Sequence, residues 1–208
     1  IDFAQQELNY EPIYSHMKDI ISFLNPWFTP YISDTLSEII SNSALTKKKY
    51  AYMLLSHLIQ TNSAQIKISM PKLVPMVSSD VNDIVSSIKE SATSTLEVLL
   101  KSSGNMDLDA FTPVVLNGIK KPDSIYDCIE NLASCVFVQN VEAPALAITM
   151  PVLLRGLLDK KTATRRLTCV IIDNMCKLIE HPKEILPFYD NLKSALERCI
   201  EVMSDPDA

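Results

Sequence analysis

Apolar residues between positions 143 and 178 recur with the spacing of two helices. In the first half they lie three or four positions apart, on one helical face, at Leu146, Met150, Leu153, Leu154 and Leu157. In the second half the same spacing is kept by Leu167, Val170, Ile171, Met175 and Leu178. Polar residues 159–162 predict a turn between the helices, with Thr162 as the N-cap of the second. Neither helix can bury its apolar face alone, so the pair predicts one unit of a stacked helical repeat.

A proline with apolar residues two and six positions later marks the start of each predicted unit. It occurs at Pro30, Pro71, Pro113 and Pro151, and residues 190–196 keep both apolar positions without the proline. Successive starts lie 38 to 42 residues apart, close to the roughly 40 to 47 residues of HEAT and armadillo repeats. Because Pro151 lies inside an apolar helical run, it is expected to bend that helix.

A polar turn and a second helix are predicted after each start. The second helices are expected at residues 46–61, 83–102, 123–138 and 162–180. Two helices per period favour HEAT over armadillo repeats, and Asp159 with Arg165 has the spacing of a pair that often links HEAT units. The sequence therefore predicts an all-α, right-handed solenoid of antiparallel helix pairs. Its units are expected at about 26–65, 66–104, 105–140, 141–182 and, in part, 183–208, after a linker and helix in residues 1–25.

Composition agrees with a helical protein. Hydrophobic residues make up 47% of the chain and there are only 3 glycines, fewer than strand-rich folds use in their turns. The net charge of −6 disfavours general DNA binding and leaves only local patches for RNA. No apolar run approaches the roughly 20 residues of a membrane span, and no signal peptide is recognisable. Since the chain begins with Ile1 and ends in a turn-like sequence, we expect it to be a piece of a longer protein.

No catalytic or metal-binding constellation is predicted. The cysteines, Cys128, Cys135, Cys169, Cys176 and Cys199, form no Cys-x-x-Cys pair and are interpreted as reduced core residues. The histidines have no ligand-type spacing. None of the glycines precedes the Lys-Ser/Thr of a phosphate-binding loop. This segment is therefore predicted to be neither an enzyme nor a cofactor-binding domain.

Lysines and arginines at the turns are the candidate binding residues. They are Lys47, Lys48, Lys49, Lys120, Lys121, Lys160, Lys161, Arg165 and Arg166. In a solenoid the corresponding turns stack along one edge, so one interpretation is that these cations together bind the phosphates of a nucleic acid. The alternative is that the lysines are solvated surface residues and Arg165 is held by Asp159. From the residues alone, the two interpretations have about equal weight.

Two further features have competing interpretations. Trp27 is either an exposed anchor for a partner or, the preferred interpretation, packed at the entrance to the first unit. Asp173 and Asn174 lie within an apolar helix, and their side chains either face a groove or, the preferred interpretation, hydrogen-bond the adjacent unit, because buried polar groups need partners.

The fourth unit resembles the HEAT region of fungal translation elongation factor 3. The resemblance lies in residues 170–178 (VIIDNMCKL), together with Met150-Pro151, Arg155-Gly156-Leu157, Arg165-Arg166 and Glu180-His181-Pro182. It is strong over about 136–208 and weaker over 26–135, where residues 70–75 (MPKLVP) match best. The sequence departs from the family at 167–169 and at Asp190 and Ser194. These departures favour a paralogue linked to translation termination and recycling over the elongation factor itself.

The resemblance implies a cytoplasmic, monomeric ribosome-binding ATPase. In that family a HEAT solenoid precedes ATP-binding cassettes, so ATP and Mg²⁺ would bind outside this segment. The segment would dock on rRNA and ribosomal proteins, with binding favoured for Lys160, Lys161 and Arg166. A different class remains open: a protein-only HEAT scaffold, such as a nuclear transport receptor or a translational-control activator.

Overall fold

The computed structural model describes residues 11–202, and all regular structure in that range is helical. In chain order the α-helices are α1 Glu11–Phe23, α2 Thr29–Asn42, α3 Leu45–Thr61, α4 Ser63–Ile66, α5 Met70–Asp80, α6 Ser86–Lys101, α7 Met106–Asp109, α8 Thr112–Lys120, α9 Ile125–Ala133, α10 Ala143–Leu157, α11 Thr162–Lys177 and α12 Tyr189–Val202. Short 3-10 turns precede α2, α5, α9 and α12. The predicted all-α class is confirmed.

Helix pairs follow the predicted repeat. The pairs are α2–α3, α5–α6, α8–α9 and α10–α11, and α12 occupies the place of a further first helix. Pro30, Pro71 and Pro113 each stand at the start of their helix, where the missing N–H would have no partner in any case. The apolar residues two and six positions after each start are buried or pack against the core. The repeat pattern therefore marks the same core-facing positions in the first helix of each unit.

The fourth unit departs from this register. Helix α10 begins at Ala143 with Pro144 in its first turn, so Pro151 lies inside the helix. The helix thus extends about two turns further towards its N-terminus than the proline alignment implies. The predicted N-cap Thr162 is wrong, because the cap position is Lys161. There the carboxylate of Asp159 accepts the Lys161 N–H at 2.8 Å, which serves the turn in place of a threonine cap.

The second helix of the third unit is shorter than predicted. Helix α9 ends at Ala133 rather than near residue 138. The following backbone is held by α7 instead, because the Asp107 carboxylate accepts the N–H groups of Val138 and Gln139, each at 2.8 Å. In return, the Gln139 side chain accepts the N–H of Met106 at 2.9 Å. These bonds replace the helical ones that an extension of α9 would have made.

Helix α10 lies at the centre of the C-terminal half. Most of its residues are buried, and Arg155 is its single charged residue, as expected for a helix surrounded by protein. It packs on α9, α11 and α12, and it packs more extensively on α5 than on the short α8. The first helix of unit four therefore contacts that of unit two directly. The stacking is not regular through unit three.

Two glycines permit close contact within the C-terminal helix pairs. Gly118 in α8 and Gly156 in α10 each lie five positions after the repeat proline. A Cβ at Gly118 would lie 2.7 Å from the Cys128 sulfur, and one at Gly156 would lie 2.4 Å from the Thr168 hydroxyl. Both separations are shorter than van der Waals contact, so each first helix approaches its second helix through a glycine.

The outer face of α11 is exposed in the part of the chain that is described. Val170, placed in the predicted apolar stripe, is 50% exposed. Asp173 and Asn174 are exposed as well, and the Asp173 carboxylate pairs with Lys177 one turn later in the same helix. The predicted hydrogen bonds from Asp173 and Asn174 to an adjacent unit are therefore wrong. Their helical spacing did not distinguish an interior face from a surface one.

Candidate nucleic-acid interface

Turn 1, between α2 and α3, is basic in sequence but partly neutralised in the structure. The Lys48 amine lies 2.8 Å from an Asp80 carboxylate oxygen and 3.8 Å from one of Asp83. Both carboxylates belong to turn 2, between α5 and α6, so the two turns are adjacent as predicted. Lys47 and Lys49, on either side of Lys48 in the chain, are exposed. The ion pairs lower the positive potential that three consecutive lysines would otherwise produce.

Asp80 is fixed in place by a buried tyrosine. Its carboxylate accepts a hydrogen bond from the Tyr52 hydroxyl, and the Tyr52 side chain is fully buried. Burial, and then the neighbouring Asp80 carboxylate, raise the pKa of Tyr52 well above its ordinary value. Tyr52 therefore stays protonated and donates at all physiological pH values. Asp80, which neutralises Lys48, is consequently held in position by a hydrogen bond from the protein core.

Turn 3, between α8 and α9, does not continue the row formed by turns 1 and 2. The ion pair of Lys120 is with Glu97, at 3.9 Å. Glu97 lies about three helical turns beyond the start of α6, so turn 3 approaches α6 well away from the acidic turn 2. The single continuous edge of basic turns is therefore wrong. The physical reason is that α8 packs on α6 with its end beside Glu97, in the C-terminal half of that helix, rather than beside turn 2.

Turns 3 and 4 do lie side by side. Turn 4 joins α10 to α11, and Arg155 just before it donates to the carbonyls of Gly118 and Ile119 at 3.0 and 2.7 Å. These carbonyls end α8, where a cation is favourable because C-terminal carbonyls lack helical partners. The amine of Lys161 lies 4.5 Å from the centroid of the Tyr126 ring in α9, a cation–π distance. The two turns form one local surface.

Arg165 is used inside this surface rather than on it. It is only 6% exposed. Its guanidinium donates to the carbonyls of Asp159 and Lys160 at 2.7 and 3.2 Å and to the Thr162 hydroxyl at 3.1 Å. The link between Asp159 and Arg165 thus runs through the Asp159 backbone and closes the turn within one unit. These contacts favour the structural interpretation of Arg165 over phosphate binding.

The remaining cations of turns 3 and 4 face outwards. Lys121, Lys160, Lys161 and Arg166 are exposed, and we refer to them together as the turn 3–4 surface. Lys120, beside them, is half-buried and paired with Glu97. An exposed lysine provides a mobile point charge for a phosphate, and an exposed arginine provides a planar set of donors. This geometry suits a polyanion that lies across both turns.

Several features were not recognised or were misjudged from the sequence. Arg155 and Tyr126 position turns 3 and 4, but neither has a local motif that signals a contact more than 30 residues away in the chain. The preferred interpretation of Trp27 is wrong, because its side chain is 72% exposed, and Phe23 and Tyr31 nearby are 90% and 72% exposed. Cys176 is also exposed, although Cys128 and Cys199 are buried as expected.

Membrane-spanning helices and metal clusters are not found in the described range. Between residues 11 and 202 no helix is long and apolar enough to cross a membrane. Within the same range no cluster of three or more histidine, cysteine and acidic side chains could hold a metal ion.

Two models of one protein family match this chain. The model described as EF3 N-terminal HEAT repeat matches residues 11–96, and the model described as Elongation factor 3/GNC1 HEAT repeat matches residues 124–208. Together they cover most of the chain, including the neutralised turn 1 and turn 4. The predicted HEAT repeats are confirmed.

Similar proteins are elongation factors from several organisms. Elongation factor 3 of Pneumocystis carinii is 35% identical over 91% of this chain. Elongation factor 3B of Saccharomyces cerevisiae is 32% identical over 92%, and elongation factor 3 of Phytophthora infestans is 38% identical over 77%. The chain spans only 15% to 18% of the length of these relatives. From the two family matches and these similarities together, this chain belongs to the elongation factor 3 family and corresponds to part of its HEAT-repeat region.

Proposed function

We propose that this chain is a docking segment that holds a translation factor on the ribosome, with the turn 3–4 surface contacting rRNA phosphates. The observation that carries the proposal is that the exposed Lys121 lies in turn 3 and the exposed Lys160 and Lys161 lie in the adjacent turn 4, with Arg166 exposed in the helix that follows. Arg165 is excluded from the contact because it is buried. Lys48 and Lys120 are assigned a secondary role, because acidic neighbours reduce their local potential. Lys47 and Lys49 flank Lys48 in the chain and are assigned the same secondary role.

The wider assignment follows the similarity to elongation factor 3. We infer that the segment itself carries no catalytic group and no cofactor, and that ATP and Mg²⁺ are bound by cassettes elsewhere in the parent protein. The parent is proposed to act in the cytoplasm as a monomer, in elongation or in termination and recycling. Ribosomal proteins are proposed as additional contacts of the segment, with unit boundaries at about residues 65, 104, 140 and 182.

Charge reversal at the turn 3–4 surface tests the docking proposal. The triple variant Lys121→Glu, Lys160→Glu and Lys161→Glu should weaken ribosome co-sedimentation about tenfold or more at low salt. The slope of log affinity against log salt should decrease by about three, roughly one for each phosphate that the variant no longer binds. A matched control reverses the same number of exposed lysines elsewhere: Lys89, Lys183 and Lys193.

The control variant has the same net charge as the test variant, so a general charge effect would weaken both equally. Circular dichroism should show unchanged helicity in both variants, since every substituted lysine is exposed. Loss of ribosome binding confined to the turn 3–4 variant supports the proposal. Wild-type binding and salt dependence in that variant would instead favour the protein-only scaffold.

A further inference from the structure

A cleft of about 500 Å³ lies between turns 3 and 4. Its apolar wall includes Pro122 and Tyr126 from unit three and Leu158 from turn 4, and Lys160 and Lys161 lie at its edge. The volume is within the roughly 300–1,000 Å³ of typical small-ligand sites. Leu158 is 54% exposed, so the cleft presents apolar surface that no residue in the described chain covers. It therefore offers more than a site for phosphates alone.

The aromatic group of the cleft has one contact within its own helix and one with turn 4. Tyr126 is half-buried, and its hydroxyl donates to the Glu130 carboxylate one turn later at 3.4 Å. The Lys161 amine lies over the ring at 4.5 Å from its centroid. Because the amine covers this face of the ring, an unpaired base that stacks there displaces Lys161, whose amine then binds the flanking backbone.

An acidic group in the same cleft indicates which base would fit. Asp123 is exposed, and no other residue in the described part of the chain pairs with its carboxylate. The other carboxylate, of Asp159, already accepts the Lys161 N–H. A free carboxylate repels phosphate but accepts hydrogen bonds from donors. Guanine presents two adjacent donors on its Watson–Crick edge, N1–H and N2–H, which match the two oxygens of a carboxylate.

We propose that the cleft binds a single unpaired guanine of RNA, stacked on Tyr126 and hydrogen-bonded by Asp123. Lys160, Lys161 and Lys121 then bind the phosphates on either side of that nucleotide. This inference rests on the proposed function and adds a sequence-reading element to it. A surface of lysines alone binds RNA without regard to sequence, whereas the cleft selects an unpaired base.

The test compares two RNA hairpins that differ by one unpaired guanine in the stem. The chain should bind the bulged hairpin more tightly than the fully paired one by roughly 5- to 150-fold, the range of one base–aromatic stack. The Tyr126→Leu variant should lose this preference, and Tyr126→Phe should retain it because the ring remains. In the Asp123→Asn variant the preference for an unpaired guanine over an unpaired adenine should fall.

Stacking itself has a separate readout. With 2-aminopurine at the unpaired position, wild type and Tyr126→Phe should quench its fluorescence on binding, and Tyr126→Leu should not. Circular dichroism confirms that each variant is folded. Equal binding of both hairpins by the wild-type chain would overturn the guanine site. If the charge-reversal triple still weakens ribosome binding in that case, the docking function stands without it. If the charge-reversal variant binds the bulged hairpin as tightly as the wild-type chain does, the proposed lysine–phosphate contacts are contradicted, and the guanine contact is not.

Discussion

Turns 1 and 4 have similar lysine-rich sequences but different surroundings. In turn 1, Lys48 forms ion pairs with the carboxylates of Asp80 and Asp83 from the next unit. In turn 4, Lys161 meets the ring of Tyr126 from the preceding unit. An ion pair neutralises a lysine, whereas an aromatic ring orients it and leaves its charge in place. The neighbouring unit, rather than the turn itself, therefore decides whether a basic turn can bind a polyanion.

The two turns also differ in how their backbone is held. Turn 4 is closed by the buried Arg165, which bonds the carbonyls of Asp159 and Lys160. At turn 1, the cap position Ala44 has no side-chain bond, and the contact with the next unit is made by the Lys48 side chain. The turn 4 lysines consequently extend from a more constrained backbone.

The largest effect is expected for Arg165→Ala. The substitution leaves two turn carbonyls without their charged donor in a site that is 6% exposed. We expect the free energy of unfolding to fall by about 3 kcal/mol, measured by urea denaturation. The control Lys160→Ala removes an exposed side chain of the same turn and should change it by less than about 0.5 kcal/mol. Similar decreases in both variants would show that Arg165 has no special role in the turn.

A smaller decrease is expected for Arg155→Met, which preserves side-chain length but removes the donors. The carbonyls of Gly118 and Ile119 are then deprived of their hydrogen bonds from the neighbouring unit. The free energy of unfolding should fall by about 2 kcal/mol. Hydrogen exchange should increase in the last turn of α8 and in turn 4. If exchange increases only within α10, Arg155 does not join the two turns.

The repeat was predictable because its signal is local. The prolines and the apolar positions two and six residues later mark the first helix wherever they occur, and those positions are in the core. The helix ends were less predictable, because tertiary bonds decide them. Asp107 terminates the extension of α9 by binding backbone N–H groups more than 30 residues away in the chain. No propensity of residues 134–138 themselves encodes that contact.

The candidate site was predictable in its residue types but not in its grouping. Lysines at turns are visible in the sequence, and Lys121, Lys160 and Lys161 are indeed at the surface. No sequence pattern indicates that α10 packs on α5, or that the end of α8 lies beside Glu97 of α6 and away from turn 2. Arg165 and Arg166 illustrate the same limit, since adjacent arginines on a helix point in different directions and only one is buried.

Removing the acids of turn 2 should make turn 1 resemble turn 4. The double variant Asp80→Asn and Asp83→Asn releases Lys48 from its ion pairs. Its RNA affinity should rise at low salt, and the salt slope should steepen by about one. The weaker bond to Tyr52 should cost about 1 kcal/mol of unfolding free energy. Asp19→Asn with Asp190→Asn is the charge-matched control, and an equal gain there would mean that only net charge matters.

The smallest effect concerns the contact between Lys161 and Tyr126. Lys161→Met keeps the aliphatic chain but removes the charge, so the free energy of unfolding should fall by only about 0.5–1 kcal/mol, as for an exposed cation–π pair. Because the described chain places no ring beneath Lys160, Lys160→Met should have no measurable effect. In a double-mutant cycle with Tyr126→Leu, the decrease from Lys161→Met should disappear, since the two side chains share one interaction. Additive decreases would show that the ring does not hold Lys161, and the contrast between turns 1 and 4 would then rest on the ion pairs of turn 1 alone.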